Sequence, residues 1–333
     1  MSFADPSVTA SIYCDRSLDA VLREVIYSHS AYVAECCTGP WMLWFVRYSR
    51  GGDHVKLRLH GPPAEAEQIR DDLSRRVGEF FASLPPAGVE PRVSRPGAPP
   101  IDADDESEAD HPDRSLRWTQ YRRSHVSLGP RPFLDDDRYA ELMAAALSGA
   151  AGLSLSAARA AGADGIAAAA GQRVLLKALV AGLAAAGFAP EHCARYLAYH
   201  RDWLLRFFAE DCQKEDEARA GLGRQAATNA ATVRQLAGVV AAEWMEAAPA
   251  VDAAGFAGAA ARLVEYLAGF RGNPAYDVDP FAGDEVFPPL FKVFHGLANQ
   301  LGLAPANEAL VHHLLISATG LVAGEQLAAA VGV

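Results

Sequence analysis

WFVRYSRGGDHVKLRLHG, residues 44–61, is the stretch whose reading decides the fold. An aromatic and β-branched run of Trp44, Phe45, Val46 and Tyr48 leads into a Gly51-Gly52-Asp53 turn, and strict alternation follows in Val55, Leu57 and Leu59. That is the pattern of a β-hairpin. Period-two alternation places His54, Lys56, Arg58 and His60 together on the other face of the second strand. Four cationic or titratable groups in a row would repel one another if they merely decorated it. The face is either a solvated outer surface or a polar wall that binds an anionic or carbonyl-rich substrate.

Outward from the hairpin, residues 10–13 read as a preceding strand. Residues 18–30 carry apolar positions at Leu18, Val21, Leu22, Val25 and Ile26, which is helix spacing. Pro62 and Pro63 end the hairpin, and residues 65–84 form an amphipathic pattern with Ile69, Leu73, Val77, Phe80 and Phe81 on one side. Strand, helix, hairpin, helix is an α+β order. Residues 85–114, rich in proline and acids, read as a mobile surface loop with a short strand at 89–93. A strand returning to the sheet is expected within residues 115–133. Helical spacing then fills 138–147, 169–186, 190–212, 223–247, 254–270, 288–301 and 307–329. The expected architecture is an N-terminal antiparallel sheet with flanking helices over residues 1–134, then a helical region over 135–333. Together they would make one integrated catalytic domain.

A chain of 333 residues can bury a substantial core without disulfides or metals. Its net charge of -11 argues against general nucleic-acid binding. Five cysteines, an odd number without a CxxC pair, read as reduced thiols in a cytoplasmic protein. The first residues lack the basic start and apolar run of a signal peptide, and no apolar run reads as a membrane span. Phosphate-cradling glycine motifs, HExxH and nucleophile elbows are absent from the sequence, so neither a metal nor an organic cofactor is expected.

The residues left to carry chemistry are polar groups on apolar elements. They are His54, Lys56 and Arg58 on the strand, Tyr121, Arg122, Arg123, Ser124, His125 and Ser127 in the following segment, and His295, Asn299 and Gln300 in LFKVFHGLANQLGL. His295 and Asn299 stand at i and i+4, on one helix face. By itself such a histidine is either a satisfied core group or a site residue.

Phe45-Val46-Arg47-Tyr48, the glycine turn and His54-Val55-Lys56-Leu57-Arg58 resemble the FIRY and HIRLR strands of the glutamate-elimination domain of lantibiotic dehydratases and its stand-alone relatives in thiopeptide biosynthesis. His295-Gly296-Leu297-Ala298-Asn299-Gln300-Leu301-Gly302, followed by Glu308, resembles the family's HMxxNRLG helix and its later glutamate. The segment Tyr121-Arg122-Arg123-Ser124-His125-Val126-Ser127-Leu128-Gly129-Pro130 stands where eliminating members carry YEPExxRYGG. Ser127 occupies the place of its arginine, Lys56 that of the first HIRLR arginine, and Gln300 that of the NRL arginine. An arginine that grips a glutamate carboxylate through two parallel hydrogen bonds has no equivalent in Ser or Gln. The resemblance therefore implies the branch that kept the fold and changed the chemistry, the thiopeptide pyridine synthases.

That resemblance implies a formal [4+2] aza-cycloaddition between two dehydroalanines of a modified ribosomal peptide, with loss of water and of the leader as an amide. Tyr121 and His295 would then be proton donors or relays, with Ser127 and Gln300 orienting the amide. His54, Arg58, Tyr48 and Asn299 would bind substrate. The expected partner is a precursor peptide with a leader and a core containing dehydroalanines and azoles, whose leader the basic run Arg114, Arg117, Arg122 and Arg123 could meet. Nucleic acid and membrane are not expected partners, and a homodimer is allowed. The alternatives are a stand-alone glutamate-elimination enzyme and a non-catalytic leader-binding partner of a dehydratase.

Overall fold

The computed structural model describes residues 7–14, 18–48, 53–85, 112–119, 136–188, 190–208, 212–246, 254–269 and 287–331. The loop expected at 85–114 and the strand at 89–93 lie almost wholly outside these residues, as do Tyr121, Ser127 and the glycines of the hairpin turn.

The chain forms two compact units. The first comprises residues 1–128, 133–167 and 299–302, and the second residues 129–132, 168–298 and 303–333. In the first unit four antiparallel strands, β1 (Ser7–Tyr13), β2 (Met42–Tyr48), β3 (His54–His60) and β4 (Ser115–Thr119), are ordered β2-β3-β1-β4. The hairpin is thus present, and the segment after the proline-rich stretch does return to the sheet. A composite helix α1 runs through Leu18–Ala20, a π-helical Val21–Ile26 and Tyr27–Cys36. Helix α2 (Ala66–Ser83) packs on β1 and on α1, and helix α3 (Asp137–Ala161) on β2 and α1. The first long helix after residue 135 accordingly belongs with the sheet. His29 of α1 and Asp72 of α2 meet at 2.7 Å in the interior, where Arg75 and Arg76 also bind the carboxylate.

Register explains the sheet's two faces. Val8, Ala10 and Ile12 pair with Leu59, Leu57 and Val55, and with Leu43 and Phe45 they form a buried apolar face. Thr9, Ser11 and Tyr13 pair with Arg58, Lys56 and His54 on the other side. That side is buried too: Lys56 is 4% exposed and Arg58 1%. The strand is therefore not a solvated outer surface, which the alternation alone had left open.

The second unit is all helix among the described residues: α4 (Ala168–Ala185), α5 (Pro190–Phe208), α6 (Cys212–Thr228), α7 (Ala230–Glu246), α8 (Ala254–Ala268), most of α9 (Phe287–Gln300), and α10 (Pro305–Val331). Helix α10 is its hub and packs on α4, α5, α6 and α7. The expected helix at 223–247 is two helices, divided at Asn229. There Thr228 Oγ1 and Asn229 Nδ2 donate to the carbonyls of Arg224 and Gln225, while the Asn229 backbone N–H still donates to the Gln225 carbonyl.

Two helical stretches, Asp137–Asp164 and Ala168–Ala185, are long and apolar enough to cross a membrane, contrary to the sequence reading. About half of each apolar window, 56% and 44%, is buried inside the fold, as in core helices.

Candidate active site

In the helical unit, three helices converge on one carboxylate. Glu308 lies in the first turn of α10, where its backbone N–H donates to the carbonyl of Ala304 and the helix dipole favours a negative charge. Helix α5 contributes Tyr196 and His200 at i and i+4, and α9 contributes Phe291 and His295 at the same spacing. His200 Nε2 is 2.9 Å from Glu308 Oε1, and His295 Nδ1 is 2.8 Å from Oε2. The Tyr196 hydroxyl is 3.2 Å from His200 Nδ1. His312, one turn along α10 from Glu308, donates Nδ1–H to the Glu308 carbonyl at 2.8 Å, and its ring lies 4.0 Å from that of His200. Phe291 stacks on His295 at 5.1 Å, and Trp203 packs on Phe291 at 4.2 Å. One carboxylate thus bridges two imidazoles against an aromatic wall.

Burial and charge divide the titrating groups. Burial would raise the Glu308 carboxyl, but the two histidines outweigh it and hold Glu308 ionised well below the usual carboxylate range. Burial alone would lower His295; Glu308 outweighs it and raises the imidazole above its ordinary value. For His200 burial prevails over Glu308 and keeps the ring neutral, and His312 is pushed down to about 3 by burial and the neighbouring His200. Tyr196 stays a phenol because burial, reinforced by Glu308, raises it well above its usual value. His200 and Glu308 are 0% and 1% exposed, whereas the His295 side chain is 15% exposed. Of the three histidines, the most accessible one is therefore the one whose proton affinity is raised.

His200, His295 and Glu308 are also the described residues that could hold a metal, since their donor atoms lie within 4.8 Å of one another. Each carboxylate oxygen already faces an imidazole nitrogen at hydrogen-bond distance, so a cation would have to displace both imidazole protons. The cluster is accounted for as a hydrogen-bonded chain.

The other half of the C-terminal motif belongs to the sheet unit. Strand β2 is an edge strand, and its outward backbone groups need partners. Asn299 Oδ1 accepts from the Arg47 N–H at 2.7 Å while its Nδ2 donates to the Arg47 carbonyl at 3.1 Å, as a neighbouring strand would. Gln300 Nε2 donates to the Phe45 carbonyl at 3.0 Å, and Ser148 Oγ accepts from Leu43 N–H at 3.2 Å. The Arg47 side chain returns to the Gln300 carbonyl through Nε at 2.9 Å and pairs with Asp19 at 2.6 Å. Gly302 closes α9 with φ +73°, and a Cβ there would stand 2.9 Å from an Arg47 guanidinium nitrogen. The positive φ favours glycine, and a side chain there would also have to move the Arg47 guanidinium.

On the buried polar face of the sheet, His54 is flanked by Tyr13 at 4.4 Å and Tyr48 at 5.2 Å, ring to ring, and Lys56 Nζ lies 5.8 Å from the Tyr48 ring. His54, Lys56, Arg58 and His60 each have an interaction partner. His54, Arg58 and Tyr48, singled out from sequence, thus share one sheet face, whereas Asn299 and Gln300 engage the β2 edge. Tyr196, His200 and His312 were not singled out. The available signals were Tyr196/His200 and Glu308/His312 at i and i+4 within apolar helices, but their convergence is tertiary.

No model of a known protein family matches the sequence, and no curated protein matches it. Solved structures superpose on the chain, and they show a fold shared with a pyridine synthase and with part of a lantibiotic dehydratase. The pyridine synthase TbtD of thiomuracin biosynthesis superposes with a TM-score of 0.67 at 16% identity, over 96% of this chain and 100% of that one. TsrL gives 0.57 at 14% over 96% and 95% of the two chains. The tRNA-dependent lantibiotic dehydratase MibB from Microbispora sp. 107891 gives 0.51 at 15%, over 98% of this chain and 29% of that one.

Proposed function

We propose that the protein is a pyridine-forming macrocyclase that acts on a leader-bearing ribosomal peptide already carrying dehydroalanines and azoles. The observation that carries this reading is the His295–Glu308 pair at 2.8 Å, the accessible end of a buried hydrogen-bonded chain, in a fold shared end to end with a pyridine synthase.

In the reaction, the amide of one dehydroalanine tautomerises to its iminol, giving a 2-azadiene. The second dehydroalanine adds across it, and two C–C bonds close the six-membered ring. Loss of water, then of the leader as a carboxamide, makes the ring a pyridine without any change in overall oxidation state. Holding the two peptide ends together supplies an effective molarity on the order of 10⁵ M or more. Each proton transfer, at the iminol and at the two leaving groups, is worth about 10²- to 10⁴-fold.

His295 is the proposed proton carrier. Glu308 stabilises its imidazolium, and Nε2, the ring nitrogen that does not face Glu308, is the atom that gives up the proton. Tyr121 is the proposed second donor and Ser127 an orienting hydroxyl; both carry over from the resemblance. Gln300 Nε2 is committed to the Phe45 carbonyl, and the role of Gln300 in orienting the amide carries over from the resemblance. His54, Arg58 and Tyr48 share the buried polar face of the sheet, and their substrate-binding role carries over from the resemblance; Asn299 contributes by fixing β2, which carries Tyr48. Lys56, Ser127 and Gln300, in place of arginines, disfavour glutamate elimination. Incubation with a linear peptide bearing two dehydroalanines and azoles is expected to release an intact leader amide and a pyridine-absorbing macrocycle. No mass change with that peptide, together with glutamate loss from a glutamylated one, would replace this reading with elimination.

A further inference from the structure

His200 has no place in the chemistry above: it is 0% exposed and cannot touch a substrate. Its geometry nevertheless ties it to His295 through a shared carboxylate. Glu308, held ionised, can only accept, so the neutral His200 ring donates Nε2–H to Oε1 at 2.9 Å; Nδ1 is then an acceptor and receives the Tyr196 hydroxyl at 3.2 Å. Oε2 is then left facing His295 Nδ1 at 2.8 Å.

We propose that His200 is a positioning residue for His295, acting through Glu308: its Nε2–H holds Oε1, aims Oε2 at His295, and draws off part of the carboxylate's charge. A carboxylate that accepts a strong hydrogen bond on one oxygen is a weaker base at the other. Glu308 unshared would bind the His295 proton more tightly, and an acid that holds its proton too tightly transfers it slowly. His200 thereby tunes the acid as well as orienting it.

The groups that bear on His295 are few. Among the described residues, Glu308 and His312 come from α10, His200 and Tyr196 from α5, where Tyr199 acts on Tyr196, and Lys292 lies on the same helix as His295. His312 is neutral down to about pH 3 and Tyr196 is a phenol throughout, so His200 and Glu308 are the members that can set the balance near neutral pH. The catalytic meaning of this tuning rests on the cyclase reading; the titration itself does not.

The test is a histidine ¹⁵N NMR titration of the full-length protein, without substrate. In the wild type, His200 should appear as the neutral Nε2–H tautomer from pH 5 to 8 while His295 titrates. His200→Phe, which removes the donor, should raise the His295 midpoint on the order of one unit. His200→Gln, which retains an N–H near the Nε2 position, should restore the wild-type midpoint. The proposal is overturned if wild-type His200 is charged or carries its proton on Nδ1 at pH 7. It is equally overturned if His200→Phe leaves His295 unmoved, or if His200→Gln shifts it as far as His200→Phe does. Should His200→Phe fail to fold, the wild-type tautomer and the His200→Gln midpoint still decide. The pH profile of cyclisation should follow the same shift. A midpoint that moves as expected in a protein that cyclises nothing would defeat the function and leave the positioning role standing.

Discussion

His295 and Asn299 are four residues apart on one helix and share a face, yet they serve different ends. Asn299, with Gln300, clasps the edge of β2 in the sheet unit, replacing a missing strand with side-chain amides. His295, in the helical unit, receives its proton affinity from Glu308 through Nδ1 and is the proposed proton carrier. The comparison teaches that polar spacing on a helix marks a set of constrained residues without distinguishing structural from catalytic duty. The partner that each side chain meets, a backbone amide in one case and a buried carboxylate in the other, motivates the different roles proposed for them.

Substitution should separate the two halves. His295→Asn keeps an N–H near the Nδ1 position for Glu308 but cannot carry a proton, so cyclisation should fall about 10²- to 10⁴-fold with little change in Tm. Equal loss of Tm and turnover would erase the distinction. Asn299→Ala should behave in the opposite sense. Loss of both bonds to Arg47 at the β2 edge should cost about 1–3 kcal/mol in chemical denaturation, while the folded fraction still turns over.

Acid should also discriminate, with a smaller effect. His312 binds its proton near pH 6.5 when unfolded and near 3 when folded, so the unfolded state gains protons first as pH falls. Stability should decline below about pH 6.5, by up to about 1.4 kcal/mol per unit from His312, and the buried neutral His200 adds in the same direction. His295, with its raised value, contributes stability at low pH that fades as pH rises through its own midpoint. Denaturant midpoints from pH 4 to 8 would show a rise with pH, and His312→Phe should flatten it. The smallest expected effect is that of a chelator: dialysis against one should leave turnover and Tm unchanged, whereas a drop in either would point to a cation among His200, His295 and Glu308.

The sheet was legible because period-two alternation in Val55, Leu57 and Leu59 and the apolar run of β2 are local signals, and register then followed from pairing. Burial of Lys56 and Arg58 was not legible, because alternation states which residues share a face and nothing of what covers it. The helices were visible from Gly and Pro breaks, but the division at Asn229 falls in an otherwise helix-favouring stretch with neither residue to mark it. His295 was found through its motif, whereas His200, 108 positions before Glu308, could be joined to it only by the packing of α5 on α10.

The most direct test of the central claim is mass spectrometry of the purified protein incubated with a leader-bearing peptide that carries two dehydroalanines, run beside His295→Asn and Asn299→Ala. The expected result is leader carboxamide and a pyridine macrocycle from the wild type and from folded Asn299→Ala, with neither product from His295→Asn. Undiminished product from His295→Asn, or no product from the wild type, would contradict it.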